Sequence, residues 1–184
     1  MLNECHTGSE WQLAAHLLWE GMVTQGLAVA RLIHDRYHPK LRNPYNEIEC
    51  GDHAARAMAS YGTFLAACGF EYHGPKSHIG FAPRISPDDF AAAFIAAEGW
   101  GTYSQTRGNG TLTATLNLKH GGLTLKSIAL ELPEKVKSGM VDVKANNKAI
   151  PATLVQTKER IIVTFMEAIH LTAGQEGVIQ VDYM

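Results

Sequence analysis

The sequence predicts an α+β protein in which a helical segment is followed by a β-rich segment of antiparallel strands. Two observations support this prediction. Up to about residue 69, apolar residues recur three and four positions apart and alanine is abundant, as in packed helices. From Thr111 onward, apolar and polar residues alternate with a period of two, as in half-buried strands. The change in period divides the 184-residue chain into two structurally different parts.

Three helices are predicted in the first part, at residues 10–21, 23–37 and 52–68. The link between the first two is short, so they are expected to pack antiparallel as a hairpin. Prolines bar further helix between the second and the third, and Gly69 ends the third. The residues expected to face inward are Leu13, Leu17 and Leu18 of the first helix, and Leu27, Ala30, Leu32 and Ile33 of the second.

The second part is predicted to form a small β-sandwich of short strands joined by polar turns. Residues 70–106 are rich in Gly and Pro and are predicted to be irregular, with extended pieces at 78–82 and 94–104. The turn His120-Gly121-Gly122 is predicted to separate the first two strands. A turn is also predicted at Asn146-Asn147, and a hairpin around Lys158-Glu159. The predicted strands are Thr111–Leu118, Leu123–Leu132, Val141–Lys144, Ala152–Gln156, Ile161–Phe165 and Val178–Tyr183.

A domain boundary is predicted at residues 107–110, because the composition changes there. All three tryptophans and seven of the nine histidines precede residue 107, whereas the following residues are rich in Thr, Val, Leu and Lys. The predicted domains are therefore 1–106 and 107–184.

Composition and charge argue against several classes of function. The formal net charge of −2 gives no electrostatic basis for binding nucleic acid. No apolar run is long enough for a transmembrane helix. Three cysteines are a sparse, odd set, which predicts no disulfide framework and favours a reducing, cytoplasmic location. Cys50 and His53, taken with Cys5 and His6, lack the spacing of a structural zinc site, so neither metal nor cofactor is predicted.

Charged and polar residues are most concentrated between residues 42 and 56, around an Asn-Pro turn and a predicted helix start. Glu47 and Glu49 lie two positions apart, so in an extended segment their side chains point to opposite sides. They are therefore not expected to act as a catalytic pair on one face.

The predicted third helix places Asp52 and Arg56 four residues apart, and His53 three residues from Arg56. A guanidinium and a carboxylate that lie close together can each form two hydrogen bonds with vicinal hydroxyls, which is how a sugar is held. The alternative is that Asp52 and Arg56 form a solvated helical ion pair with no ligand, and the local pattern leaves both interpretations open.

Trp100 lies between two glycines and is a second candidate contact for a sugar. An aromatic ring can stack on the apolar face of a pyranose, but it can equally fill a hydrophobic core. Both interpretations stay open from the sequence.

One longer pattern resembles a known family. The run Arg42-Asn-Pro-Tyr-Asn-Glu-Ile-Glu-Cys-Gly-Asp-His-Ala-Ala-Arg-Ala-Met-Ala-Ser-Tyr61 is similar to the C-terminal signature of glycoside hydrolase family 116. This family contains the non-lysosomal glucosylceramidases and β-glucosidases. The likeness extends to Glu4–Gly8, Phe81–Arg84 and Ala97–Gly101, whereas the β-rich tail is similar only in character.

The resemblance implies that the helices are the last ones of an (α/α)6 toroid with a sugar pocket at its centre. It implies that Glu47 and Arg56 hold the outer hydroxyls of a glucosyl unit, with Glu49 as a competitor for the acidic role. Asp52 and His53 would be their neighbours.

The resemblance also implies that this chain is inactive alone. Retaining glycosidases use a carboxylate nucleophile and a carboxylic acid/base, and in family 116 both lie upstream of this motif. The chain would then be a C-terminal portion that needs an upstream chain, or self-association, to complete the toroid. The implied substrate is a β-glucoside or a glucosyl lipid. Ala54 stands where the family pattern leads us to expect a tyrosine, so that part of the pocket would differ.

A second hypothesis belongs to a different class of function. The chain could be a non-enzymatic module, a β-sandwich with a helical lead-in, that binds carbohydrate or a partner protein. Stable behaviour as an isolated monomer would favour this hypothesis over the first.

Overall fold

The computed structural model describes residues 6–41 and 56–184 and has two compact units. The helical unit is Met1–Gly69 and the β unit is Phe70–Met184. The α+β class predicted from the sequence is therefore confirmed. None of the helices in the described residues is long and apolar enough to cross a bilayer.

The helical unit contains three described helices. Helix α1 is Thr7–Trp19, α2 is Val23–Arg36 and α3 is Ala57–Cys68. Helix α1 packs against both of the others. Gly69 follows α3 in the left-handed conformation, with φ 55°, and its N–H donates to the carbonyl of Ala66. Gly69 therefore ends α3 as predicted, because a left-handed residue is most easily supplied by glycine.

The buried side of α2 differs from the prediction. Leu27 and Leu32 are exposed, whereas Gly26 and Ile33 are buried. A Cβ at Gly26 would lie 2.9 Å from the side chain of Leu18 and 3.0 Å from the carbonyl oxygen of Ala14. Glycine at position 26 thus lets the two helices approach closely, and the contact stripe follows residues 26 and 33 rather than the leucines beside it. In α1, Leu18 is buried as expected, and so is Ala14, but Leu13 is half exposed.

The β unit contains ten strands, more than the sequence predicted. They are β1 Glu71–His73, β2 His78–Gly80, β3 Asp89–Ile95, β4 Gly99–Gly108, β5 Thr111–Glu131, β6 Ser138–Ala145, β7 Lys148–Ala149, β8 Ala152–Thr157, β9 Arg160–Thr172 and β10 Glu176–Tyr183. A single turn of 3-10 helix, Gly74–Lys76, joins β1 to β2.

Strand β5 connects the whole β unit. Its first half pairs antiparallel with β4 and β10, and its second half pairs with β9 and β2. Beyond these partners, β10 pairs with β6, β9 with β8, β4 with β3 and β2 with β1. One core contains buried residues from both halves of β5, including Leu116 and Ile128.

Two features of this topology correct the prediction. The segment His120-Gly121-Gly122 does not reverse the chain, because β5 runs through it as one strand. The sheet is also not purely antiparallel, since β2 pairs with β5 in parallel. The other turns are as predicted: Asn146 and Asn147 form a tight turn with positive φ, and β8 and β9 form a hairpin around Lys158.

The structure divides the chain at residues 69 and 70, whereas the composition suggested 107–110. Residues 107–110 lie at the tight connection between β4 and β5, which pair along their length. Asn109 and Gly110 both have positive φ there. Residues 107–110 therefore form a hairpin turn inside the β unit and not a linker between domains. The same types of residue occur in hairpin turns and in linkers, so the sequence alone does not distinguish them.

A buried polar network lies beneath the aromatic part of the core. The rings of Phe81 and Tyr103 stack with centroids 3.7 Å apart and planes inclined by 2°. The Tyr103 hydroxyl donates to Oε1 of Gln105 at 2.5 Å, and Nε2 of Gln105 donates to the carbonyl of Pro87 at 2.6 Å. Tyr103 and Gln105 are almost fully buried, so each depends on the other for a partner.

Substituting Tyr103→Phe should destabilise the β unit while preserving its packing. The substitution leaves Oε1 of buried Gln105 without the donor it has now, which costs about 1–3 kcal/mol of unfolding free energy. Urea denaturation measures this loss. The control is Tyr61→Phe, which removes the hydroxyl of a partly exposed ring and should change the unfolding free energy by less than about 0.5 kcal/mol. Equal effects of the two substitutions would contradict the proposed network.

A two-pronged ion pair links β1 to β9. Nη1 and Nη2 of Arg160 donate to Oε1 and Oε2 of Glu71, each at 2.7 Å. These hydrogen bonds hold the pKa of Glu71 below its ordinary value of 4.5 and raise the pKa of Arg160. Both side chains are about 40% exposed, so water screens the attraction and its contribution to stability is small.

The ion pair of Glu71 with Arg160 should stabilise the protein at neutral pH and lose this contribution in acid. A carboxylate with a lowered folded-state pKa stabilises the protein above its unfolded pKa, and that contribution is lost as the pH falls through the folded value. We expect Glu71→Gln to lower the unfolding free energy at pH 7 by at most about 1 kcal/mol, and the difference from wild type to shrink toward pH 3. Denaturation at both pH values, with Glu134→Gln as an exposed control, measures it. A difference that grows on acidification would contradict the expectation.

Candidate functional site

Arg56 is the predicted sugar contact that the structure describes in the helical unit. It precedes α3 in the left-handed conformation, with φ 50° and ψ 31°. Its side chain lies against Gly8 in the first turn of α1. A Cβ at Gly8 would come 3.3 Å from Cδ and 3.5 Å from Nε of Arg56. Glycine at position 8 thus leaves room for the stem of the arginine.

The helical spacing predicted for Arg56 does not apply, because α3 begins after this residue. Arg56 has a left-handed backbone conformation, which an α-helix does not contain, so the described helix α3 begins only after it. The predicted i,i+4 pair of Asp52 and Arg56 falls outside the described residues, because Asp52 does. The other predicted site residues, Glu47, Glu49, Asp52 and His53, lie outside the described residues, as do Ala54 and Cys50.

Polar contacts around the start of α1 tie the three helices together. Thr7 is almost fully buried, and its Oγ1 lies 3.0 Å from the hydroxyl of Tyr37. Glu10 forms an ion pair with Arg36 near the end of α2. Thr63 Oγ1 in α3 donates to the carbonyl of Trp11 at 3.0 Å. The start of α1 is therefore held from both sides, which fixes the position of Gly8 beside Arg56.

Trp100 lies in the β unit, near the start of β4. It is 48% exposed, so it is not a core residue. Its neighbours Gly99 and Gly101 allow two strands to approach, since a Cβ at Gly101 would lie 2.3 Å from the carbonyl oxygen of Asn117. A bulge between Trp100 and Gly101 shifts the register of β4 on β5. Of the two roles left open by the sequence, Trp100 does not have the core role, and its contact with sugar stays a prediction.

The hairpin between β3 and β4 is held tightly on β5. Its two-residue tip is Ala97-Glu98, closed by a bond from the Ala96 N–H to the Gly99 carbonyl at 2.8 Å. The Glu98 carbonyl accepts the N–H of Gly122 at 3.0 Å. Gly121 has φ 73°, and a Cβ there would lie 2.0 Å from the same carbonyl oxygen. The tip can occupy this place because residue 121 is glycine.

A cavity of about 400 Å³ lies beside this hairpin tip. Its walls combine one aromatic ring, hydroxyl groups and one carboxylate. They are formed by Tyr72, Gly74, Pro75, Ser77, Ala97, Glu98, Gly122, Leu123 and Thr124. Sequence reasoning did not find this cavity, because its walls come from separate elements. The one signal for it was Ala97–Gly101, which the family resemblance had singled out for another reason.

Metal ligation has no support in the part of the chain that the structure describes. No three His, Cys, Asp or Glu side chains come together there in a way that suits a metal ion. Burial raises the pKa of the Cys68 thiol to about 11, so this cysteine is protonated at neutral pH.

Comparison with known proteins finds no protein family and no curated protein that matches the chain. Two of the solved structures that are similar to it are glycoside hydrolases. An α-L-rhamnosidase from Dictyoglumus thermophilum is similar with a TM-score of 0.36 and 12% identity, covering 70% of this chain and 14% of that chain. Another glycoside hydrolase is similar with a TM-score of 0.38 and 14% identity, covering 71% of this chain and 19% of that one. The chain thus spans less than a fifth of each, and a likeness at these TM-scores carries no argument about its function.

Substituting Gly121→Ala should displace the hairpin tip and destabilise the β unit strongly. A methyl group there meets the Glu98 carbonyl, in addition to the strain of a positive φ. The matched control is Gly174→Ala, which has φ 85° and no heavy atom within 4 Å of its Cβ position. We expect about 1 kcal/mol of lost stability for Gly174→Ala from backbone strain alone. For Gly121→Ala we expect at least about 3 kcal/mol. Thermal denaturation of the two variants compares their losses of stability. Similar losses would contradict the close approach of the Glu98 carbonyl to residue 121.

Proposed function

We propose that this chain is a C-terminal portion of a β-glucosidase or glucosylceramidase-like glycoside hydrolase of family 116. In this proposal the chain positions the glucosyl unit of the substrate. The catalytic nucleophile and acid/base are supplied by a part of the enzyme that this chain does not contain. The reaction is hydrolysis of a β-glucoside, with either a lipid or another aglycone.

The observation that carries the proposal is the contact between Gly8 and Arg56. The resemblance to family 116 rests on several separate stretches, and Gly8 and Arg56 belong to two of them. A methyl group at Gly8 would come within 3.3 Å of the Arg56 side chain. Glycine at position 8 leaves the space that the stem of Arg56 occupies, so these two stretches of the resemblance meet in the structure.

The chemistry of the proposed site is that of hydroxyl recognition. The guanidinium of Arg56 presents several N–H donors in a rigid fork, and a carboxylate such as Glu47 or Glu49 accepts hydrogen bonds from hydroxyls. Together they can hold two adjacent hydroxyls of a glucosyl ring, with Asp52 and His53 as neighbours. Such remote contacts increase the rate when they orient the sugar for attack at the anomeric carbon. Trp100 is a further proposed sugar contact.

Exposed apolar side chains on the helical unit support the proposal that further helices pack against it. Several apolar side chains in its described residues are exposed, among them Leu13 at 50%, Leu32 at 65% and Met58 at 88%. Large exposed apolar groups on helices are expected where other helices cover them. The proposal therefore includes an (α/α)6 toroid, completed by an upstream chain or by self-association.

The test is to assemble the chain with a separately expressed upstream segment of a family 116 enzyme that carries both catalytic carboxylates. Hydrolysis of an aryl β-glucoside is then assayed. We expect Arg56→Ala to lower kcat/KM by about 100-fold, because the fork that orients the sugar is lost. Arg56→Lys should recover only part of this, since an ammonium keeps the charge without the fork.

The control variant is Arg31→Ala in the same unit. Arg31 is 75% exposed and forms a surface ion pair with Asp35, with 2.7 Å between Nε and Oδ1. Its removal should leave kcat/KM within about twofold, as expected for a surface pair. A folded complex without activity, or a complex in which Arg56→Ala behaves like Arg31→Ala, would contradict the proposal.

A further inference from the structure

The cavity beside the hairpin tip has a fixed aromatic wall. The Tyr72 hydroxyl accepts the N–H of Ala97 at 3.4 Å. On its other side the ring lies against Gly74, where a Cβ would come 3.2 Å from the hydroxyl and 3.5 Å from the ring. The ring is thereby held between the 3-10 turn and the hairpin tip. A ring whose hydroxyl end is held in this way loses little conformational entropy when a ligand packs on it.

Polar groups converge on the same cavity from three elements. Glu98 comes from the hairpin tip, Thr124 from β5 and Ser77 from the residue after the 3-10 turn. In the described part of the chain, no side chain forms an ion pair or a hydrogen bond with the Glu98 carboxylate. Thr124 Oγ1 lies 3.1 Å from Nδ1 of His170, which orients its hydroxyl. The cavity thus presents an available acceptor and two hydroxyls.

The charge of the walls selects the class of ligand. None of the lining residues is Lys, Arg or His, and the carboxylate among them is that of Glu98. A site with one carboxylate and no cation disfavours phosphates and other anions. Cationic ligands are usually held by several aromatic rings, and this cavity has one. A neutral ligand with an apolar face and several hydroxyls suits all of these groups.

We propose that this cavity binds a neutral pyranose, with an apolar face of the sugar on Tyr72 and its hydroxyls bonded to Glu98, Thr124 and Ser77. A cavity of about 400 Å³ lies in the range of small-molecule sites. All of its residues belong to the β unit, and none of them is among the residues assigned to the sugar contact of Arg56. It does not depend on the function proposed above.

The test is a titration of the isotopically labelled full chain with methyl β-D-glucopyranoside and with cellobiose, followed by amide NMR. We expect chemical-shift changes at the amides of Ala97, Gly122 and Thr124. Glu98→Gln should weaken the affinity at least about tenfold, because a charged acceptor of hydroxyl groups is lost. Glu167→Gln, which alters an exposed glutamate on β9, should leave the affinity unchanged. The affinity is read from the amides of this cavity alone, so sugar bound elsewhere on the chain does not contribute to it.

Three outcomes would overturn the proposal. One is the absence of shifts at the cavity amides with both sugars at up to about 50 mM, a concentration that detects even very weak binding. Another is shifts produced by tetramethylammonium but by neither sugar, which would make the cavity a cation site. The third is sugar binding that is equal in wild type and Glu98→Gln. Tyr72→Phe serves as a second variant: it keeps the ring and should retain sugar-induced shifts at Gly122.

Discussion

The β unit depends on one strand that pairs with different partners along its length. Strand β5 has β4 and β10 beside its first half, and β9 and β2 beside its second. The change of partners occurs around Gly121. There the Glu98 carbonyl oxygen of the β3–β4 hairpin tip would lie 2.0 Å from a Cβ at position 121, so the tip can approach because residue 121 is glycine. This approach places the hairpin tip on β5 and forms one side of the cavity beside the tip.

The sequence predicted the elements that local chemistry determines. The positive-φ turn at Asn146-Asn147, the hairpin around Lys158 and the end of α3 at Gly69 all follow from residues that tolerate unusual backbone angles. The prediction failed at His120–Gly122, because glycines allow either a reversal or a bend. Which of the two occurs depends on whether the flanking strands pair with each other or with partners far along the chain, and a local pattern does not contain that information.

For the candidate site, too, local sequence predicted the residue types but not the contacts that depend on the fold. The residue types for holding a sugar were visible in the stretch that ends at Arg56, but not its left-handed conformation or its contact with Gly8, 48 positions earlier in the sequence. Trp100 was recognised as unusual, and only its 48% exposure decided against the core. The cavity at Glu98 was missed altogether, because Tyr72 and Thr124 come together only through the pairing of β1, β2 and β5. Proximity through a sheet has no fixed spacing in sequence.

The central claim is that Arg56 lies at a glucosyl site that is completed by helices from another part of the enzyme. A crystal structure of the assembled complex with bound glucose tests this claim most directly. The account predicts that guanidinium nitrogens of Arg56 lie about 2.7–3.2 Å from two adjacent sugar hydroxyls, with a carboxylate of this chain on the same hydroxyls. A glucose in the centre of the helices that makes no contact with Arg56 would contradict it.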